Sequence, residues 1–242
     1  MGTPPAAAEN GNVHGAFIGN RVVMPANGET IPVIDPSNGA VFAHLAQCGQ
    51  AEVDLAVSLG REALETGEWG RLPAFERGRL LMRLSQAITA HAAELAALES
   101  RDTGKPARQA QADITAAARY FEFYAGAADK LHGETIPYLN GFFVATEREP
   151  HGVVAHIIPW NYPAQMFGRN VAPSLAVGNA VVVKPAEDAC LSVLRMAELA
   201  GEVGFPPGAL AVLPGRGAVT GALLSGHGDI DYIAFTGSPA VG

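Results

Sequence analysis

The alternation of apolar and helix-like stretches over residues 151–242 constrains this chain more than any other feature. Four apolar runs, GVVAHII, AVVVKP, ALAVLPG and IDYIAFTGS, are separated by AQMFGRNVAPSLAVG, LSVLRMAELAGEVG and AVTGALLSG. The runs begin about 20 to 30 residues apart, which leaves room for a helical crossover between parallel strands. They carry little polar alternation, as strands covered by helices on both faces must. The expected fold class is therefore α/β, a Rossmann-like parallel sheet with flanking helices.

In an open parallel sheet the ligand sits beyond the carboxyl ends of the strands, so the residues after each run are the ones to read. They are Pro159-Trp160-Asn161-Tyr162-Pro163, Lys184-Pro185-Ala186-Glu187, Pro214-Gly215-Arg216-Gly217 and Thr236-Gly237-Ser238. An amide, an ammonium, a carboxylate and glycine turns that expose backbone N–H groups together suit a dinucleotide. Glu187 can accept ribose hydroxyls and Lys184 can donate to them, although a loop Lys–Glu pair also reads as a solvated salt bridge. A carboxylate there repels a 2′-phosphate, which favours NAD over NADP. Asn161, held by two prolines, reads either as a turn residue or as a donor to an oxygen that gains negative charge. Gly237 and Gly242 stand five apart where a helix is expected to begin, so its first N–H groups could face a pyrophosphate. This is not the GxGxxG pattern, and a glycine pair alone reads equally as a turn.

Upstream the grammar differs. Residues 1–12 read as a loosely tied lead, and AFIGNRVV and IPVIDPSNGAVFAHLA as hairpins turning at Gly19-Asn20 and Asn38-Gly39. The spacing of Leu80, Leu84, Ile88, Leu95 and Leu98 predicts one amphipathic helix over 76–99, stopped by Gly104 and Pro106. A second helix is expected over 110–130, and a hairpin around Asn140-Gly141. The expected organisation is 1–131 packing on the cofactor domain, 132–150 a protruding hairpin, and 151–242 the nucleotide-binding unit.

Composition excludes several functions. A net charge of −8 with no basic stripe argues against nucleic acid. Charged residues make up only 17% of the chain against about 25% in typical domains, so association with partners is expected. No segment reaches about 18 unbroken apolar residues and the amino terminus lacks a signal-peptide pattern. A cytoplasmic protein is the expectation. Cys48 and Cys190 give no disulfide framework, and the seven histidines form no close-spaced metal set.

The segments GVVAHIIPWNYP, NAVVVKPAEDA, GFPPGALAVLPGRG and DIDYIAFTGSPAVG, in this order and spacing, resemble the amino-terminal, cofactor-binding half of NAD(P)-dependent aldehyde dehydrogenases, a match running from about Ile31 to the last residue. The resemblance implies that Asn161 stabilises the oxyanion and that Lys184 and Glu187 hold the adenosine ribose. It implies further that Ile158, Pro159 and Trp160 border the same pocket, and that Gly217 and Ala218 line the adenine side. Phe235, Gly237, Ser238 and Val241 match the helix opening beside the pyrophosphate. Hairpin 134–150 matches the oligomerisation arm, so a homodimer or homotetramer is implied.

The implied reaction is NAD-dependent oxidation of an aldehyde to a carboxylic acid through a cysteine thiohemiacetal and thioester. It needs a thiolate nucleophile and a general-base Glu in a Glu-Leu-Gly-Gly stretch, both of which fall beyond the matched region. Cys190 and Cys48 read as small packed residues, and the 242-residue chain alone is predicted to be inactive. Two alternatives stand beside this reading: a truncated, non-catalytic nucleotide-binding or subunit-interaction module, and a semialdehyde or CoA-acylating relative.

Overall fold

The computed structural model describes residues 13–242, so the lead expected over the first twelve residues lies outside the described region. The chain opens with β1 (Val13–His14), β2 (Ala16–Ile18), β3 (Arg21–Val23), β4 (Thr30–Ile34) and β5 (Val41–Ala46). Gly19 and Asn20, at the turn between β2 and β3, both have positive φ, as a two-residue primed turn requires. Helix α1 (Gln50–Glu65) and a 3₁₀ turn (Trp69–Arg71) lead into α2 (Ala74–Ala90), α3 (Ala92–Thr103) and α4 (Ala107–Ala127).

The single helix expected over 76–99 is thus two helices. His91 leaves helical geometry (φ −97°, ψ 16°) and binds Glu94 through its ring, yet Leu95 N–H still donates to His91 O. Apolar periodicity continues through such a kink, which is why spacing alone does not reveal it. Gly104, at φ +74°, closes α3 in the left-handed conformation that glycine takes without strain.

A short hairpin of β6 (Thr135–Ile136) and β7 (Val144–Ala145) follows. Then come β8 (Val153–Ile158), α5 (Pro163–Ala176), β9 (Ala180–Pro185), α6 (Leu191–Glu202) and β10 (Leu210–Val212). A π-helical turn (Gly217–Gly221), α7 (Ala222–Ser225) and β11 (Tyr232–Phe235) complete the described chain. Where a helix is expected from Gly237, the chain forms one turn closed by Val241 and Gly242 N–H on Ser238 O.

The main sheet has the order β11-β8-β9-β10-β2-β3. Its first four members pair in parallel, and β2 joins β10 antiparallel at Phe17 and Val212. The early hairpin therefore extends the sheet itself, a placement that local alternation does not encode. A second sheet, β1-β5-β4, lies beside it.

Both faces of the central strands β8, β9 and β10 are covered, with alternate residues entering separate cores. Val181 and Val183 pack with α2, α4, α5 and α6 around Leu84, Ile114, Phe121 and Phe167. Ala180 and Val182 pack with α1 through Val53 and Val57. The indole N–H of Trp69 donates to Asn179 O at 3.0 Å, so the largest buried side chain is also satisfied.

Candidate functional site: one rim of a parallel sheet

Strand register decides where the four exits lie. Ile158 sits beside Pro185, Val212 beside Val183, and Phe235 beside Ile157. The parallel strands therefore end level, and their following loops share one rim. The chain steps from β8 to β9 to β10 in one direction and returns to β11 on the other side of β8. The reversal between β8 and β11 is the topological switch point at which open α/β sheets hold ligands.

At the exit of β9, Lys184 Nζ lies 2.8 Å from Glu187 Oε2, and Gly217 N–H donates to Glu187 Oε1 at 3.2 Å. The exits of β9 and β10 thus meet on one carboxylate. Lys184 is buried and Glu187 half-buried. Burial alone would raise the Glu187 carboxyl, but hydrogen bonds from Lys184 and backbone N–H groups outweigh it and hold the group below its usual range. A Cβ on Gly217 would stand 3.9 Å from Lys184 Nζ, in ordinary contact, so it is the Gly217 N–H rather than a missing side chain that serves the site. Ala218 is exposed in the turn that follows.

The turn after β10 is anchored by a residue not singled out from the sequence. Gln47, buried after β5, accepts from Arg216 N–H at 3.0 Å and donates to Cys48 O and Thr220 Oγ1. Gly215 has φ +152° and lies so close to Thr220 that a Cβ would clash at 2.0 Å.

At the exit of β8, Ile158 is buried, Pro159 half-buried and Trp160 exposed. Trp160 and Glu187 line a single cavity of about 370 Å³, together with Val33, Asp102 and Asp188. Asn161 is exposed, and its side-chain amide has no hydrogen-bond partner among the described residues. Its main-chain carbonyl is held instead: Lys105 Nζ donates to it at 3.0 Å. Pro163 occupies the first turn of α5, where its missing N–H costs nothing.

Asp102 of α3 organises the loop after β9 from a distance. Its Oδ2 accepts the N–H groups of Cys190 at 2.8 Å and Leu191 at 2.9 Å, capping α6 across the fold. Burial pushes its carboxyl up to about 6, against the opposing pull of those two N–H groups. Cys190 is buried at the start of α6, and burial raises its thiol well above the usual range. Cys48 is pushed up to about 12, again by burial. Neither thiol is suited to act as a thiolate nucleophile.

The exit of β11 is more open. Phe235 is 38% exposed, and Gly237 and Gly242 lie against its ring, where a Cβ at Gly237 would stand 2.4 Å from it. Ser238 and Val241 are exposed. Among the predicted residues, Lys184, Glu187 and Gly217 are in direct contact, Trp160 faces Glu187 across a cavity, and Phe235 and Gly237 pack together. Val241 N–H donates to Ser238 O at 3.1 Å, and the Asn161 amide bonds to none of the others. A larger groove of about 580 Å³, lined by Asp54, Arg61, Glu65 and His227, lies at the amino end of β11, away from this rim.

A parallel sheet with a switch point and helices on its faces defines a Rossmann-like α/β protein. The model of the aldehyde dehydrogenase family matches residues 23–242, and the chain belongs to that family. It is 44% identical over 227 residues to the mitochondrial benzaldehyde dehydrogenase of Antirrhinum majus, covering 93% of this chain and 42% of the relative. It is 44% identical over 228 residues to human retinal dehydrogenase 2, covering 93% and 44%. An aldehyde dehydrogenase from Bacillus cereus, solved as an NAD+ complex, superposes with a TM-score of 0.94 at 38% identity over 96% of this chain and 47% of that one. The chain spans less than half the length of these relatives.

Proposed function

We propose that this chain is the cofactor-binding half of an enzyme that oxidises an aldehyde to a carboxylic acid with NAD. The observation that carries the reading is the Glu187 carboxylate, fixed between the Lys184 ammonium and the Gly217 N–H where β9 and β10 end. A carboxylate offers about four lone-pair sites, so two remain after these contacts to accept the paired hydroxyls of an adenosine ribose. Lys184 Nζ has donors left for the same hydroxyls. This donor and acceptor set fits NAD, and the negative charge of Glu187 disfavours a 2′-phosphate. Bound there, NAD supplies the acceptor for the hydride that an aldehyde loses on oxidation.

The chain's own residues then divide the work. Glu187 and Lys184 bind the ribose, with Gly217 and Ala218 beside the adenine. Ile158, Pro159 and Trp160 wall the pocket. Gly237 and Ser238 offer backbone N–H groups to the pyrophosphate, with Val241 and Phe235 beside them. Asn161 presents an uncommitted amide at the switch point, where it can donate to the oxygen that gains charge as an aldehyde is attacked. The exposed Tyr138, Phe142 and Phe143 of hairpin 134–150 support association of copies as a homodimer or homotetramer. The cytoplasm is the proposed compartment; among the described residues no helix is long and apolar enough to cross a membrane.

Calorimetric titration of the chain tests the reading. NAD should bind, NADP should bind at least tenfold more weakly, Glu187→Ala should weaken NAD at least tenfold, and Asn161→Ala should leave it within twofold. Equal losses in the two variants would show that one of the roles is misassigned.

A further inference from the structure

We propose that Lys105 is a positioning residue that aims Asn161 through the main chain; the claim rests on the proposed role of Asn161 as the oxyanion donor. Lys105 lies in the loop between α3 and α4. Its ammonium donates to Glu99 Oε1 at 3.0 Å, Asp113 Oδ2 at 2.6 Å and Asn161 O at 3.0 Å. A lysine ammonium has three N–H donors, and all are committed. The ring of Tyr162 lies 4.9 Å from the same nitrogen. Lys105 is therefore neither a free base nor a mobile surface charge.

The two carboxylates are themselves fixed. Glu99 and Asp113 are fully buried. Glu99 Oε2 accepts from the Ser192 hydroxyl of α6, and Asp113 Oδ1 accepts from Gln109 of α4 at 2.8 Å and Gln165 of α5 at 2.7 Å. Four helices thus converge on one ammonium, and its third donor reaches out to the β8 exit.

The Asn161 carbonyl needs such a partner. The first α5 bond at this end is accepted by Tyr162 O, from Met166 N–H, so Asn161 O stands outside the helical ladder. Prolines at 159 and 163 restrict the loop but leave the plane of the Asn161–Tyr162 peptide free to rotate. The bond from Lys105 fixes that plane, and with it the direction in which the Asn161 side chain leaves the backbone. The amide is held in place without spending either of its own hydrogen-bonding groups, which keeps both for a ligand.

The test is by nuclear magnetic resonance on the full chain. In the wild type a scalar coupling across the hydrogen bond should connect the Lys105 ammonium nitrogen with the Asn161 carbonyl carbon; its absence with the ammonium signal resolved overturns the proposal. Lys105→Met alone strands two buried carboxylates, so the informative variant also carries Glu99→Gln and Asp113→Asn, which keep the bonds to Ser192, Gln109 and Gln165. In it the backbone order parameter of Asn161 should fall from about 0.85 to below about 0.6, with Glu187 unchanged. An unchanged Asn161 overturns the proposal, as does an equal fall at Glu187, which would mark general loosening. NAD titration runs alongside: a wild type that fails to bind NAD refutes the proposed function and leaves the Lys105 result standing.

Discussion

The exits of β9 and β11 flank the same strand, yet they are built to different standards. Every residue of β9 is buried, and the loop after it is held by Lys184, by Gly217 and by the Asp102 cap on α6. β11 pairs with β8 just as regularly, but Tyr232, Ile233 and Phe235 are 36–47% exposed, and the turn after it is tied to the sheet through Thr236 N–H on Ile157 O. Parallel pairing orders a backbone; burial and polar contacts from distant segments order the side chains. The ribose-facing carboxylate of the proposed site is therefore preformed, held by segments far from it in sequence.

The largest expected effect exaggerates that contrast. Phe167 of α5 is fully buried, with its ring 5.9 Å from that of Phe121 under β8 and β9. Phe167→Ala should cost about 3–5 kcal/mol in urea denaturation. Phe235→Ala on β11 should cost less, about 1–2 kcal/mol, because its ring is already 38% exposed and has less transfer free energy to lose. Equal losses would show that β11 is as firmly packed as β9.

A second expectation concerns pH and sets two buried groups against each other. Burial lowers His156 of β8 to about 4, so the folded chain keeps it neutral while the unfolded chain protonates it near 6.5. Its contribution is complete above 6.5 and is lost as pH falls toward 4. Asp102, raised to about 6 from 3.8, does the reverse: the folded state holds the proton longer, so its contribution is complete below about 4 and is lost as pH rises to 6. Each shift corresponds to roughly 3 kcal/mol. Between pH 4 and 6 the two nearly cancel. Asp102→Asn should leave stability rising with pH across this window, and His156→Gln should leave it falling. Parallel urea midpoints in both variants would exclude the two groups as the source.

What was legible beforehand follows the same divide. Apolar runs mark the parallel strands, and the rule that ligands sit at their carboxyl ends picks out Asn161, Lys184, Glu187 and the glycine turns. The family resemblance then adds their roles. The supports were not legible. Asp102 reaches Cys190 across 88 positions, Lys105 reaches Asn161 across 56, and Gln47 reaches Arg216 across 169. Each looks locally like an ordinary polar residue at a helix end or in a loop, because only the fold supplies its partner. The kink at His91 escapes for a different reason: no glycine or proline announces it, and the apolar spacing runs on through it.

The smallest effect separates the partners within the preformed site. Lys184 is 3% exposed at its side chain and Glu187 30%. Removing one member of an ion pair costs most when the member left behind is buried. Glu187→Ala strands a buried ammonium, whereas Lys184→Met leaves a half-exposed carboxylate that still accepts from Gly217 N–H and can turn to water. Glu187→Ala should therefore be the more destabilising of the two by about 1 kcal/mol in urea unfolding, although pairwise Coulomb attraction treats the charges alike. The reverse order would mean that the β9 exit relaxes as readily as the open turn after β11, and the contrast between the two ends of the rim would be lost.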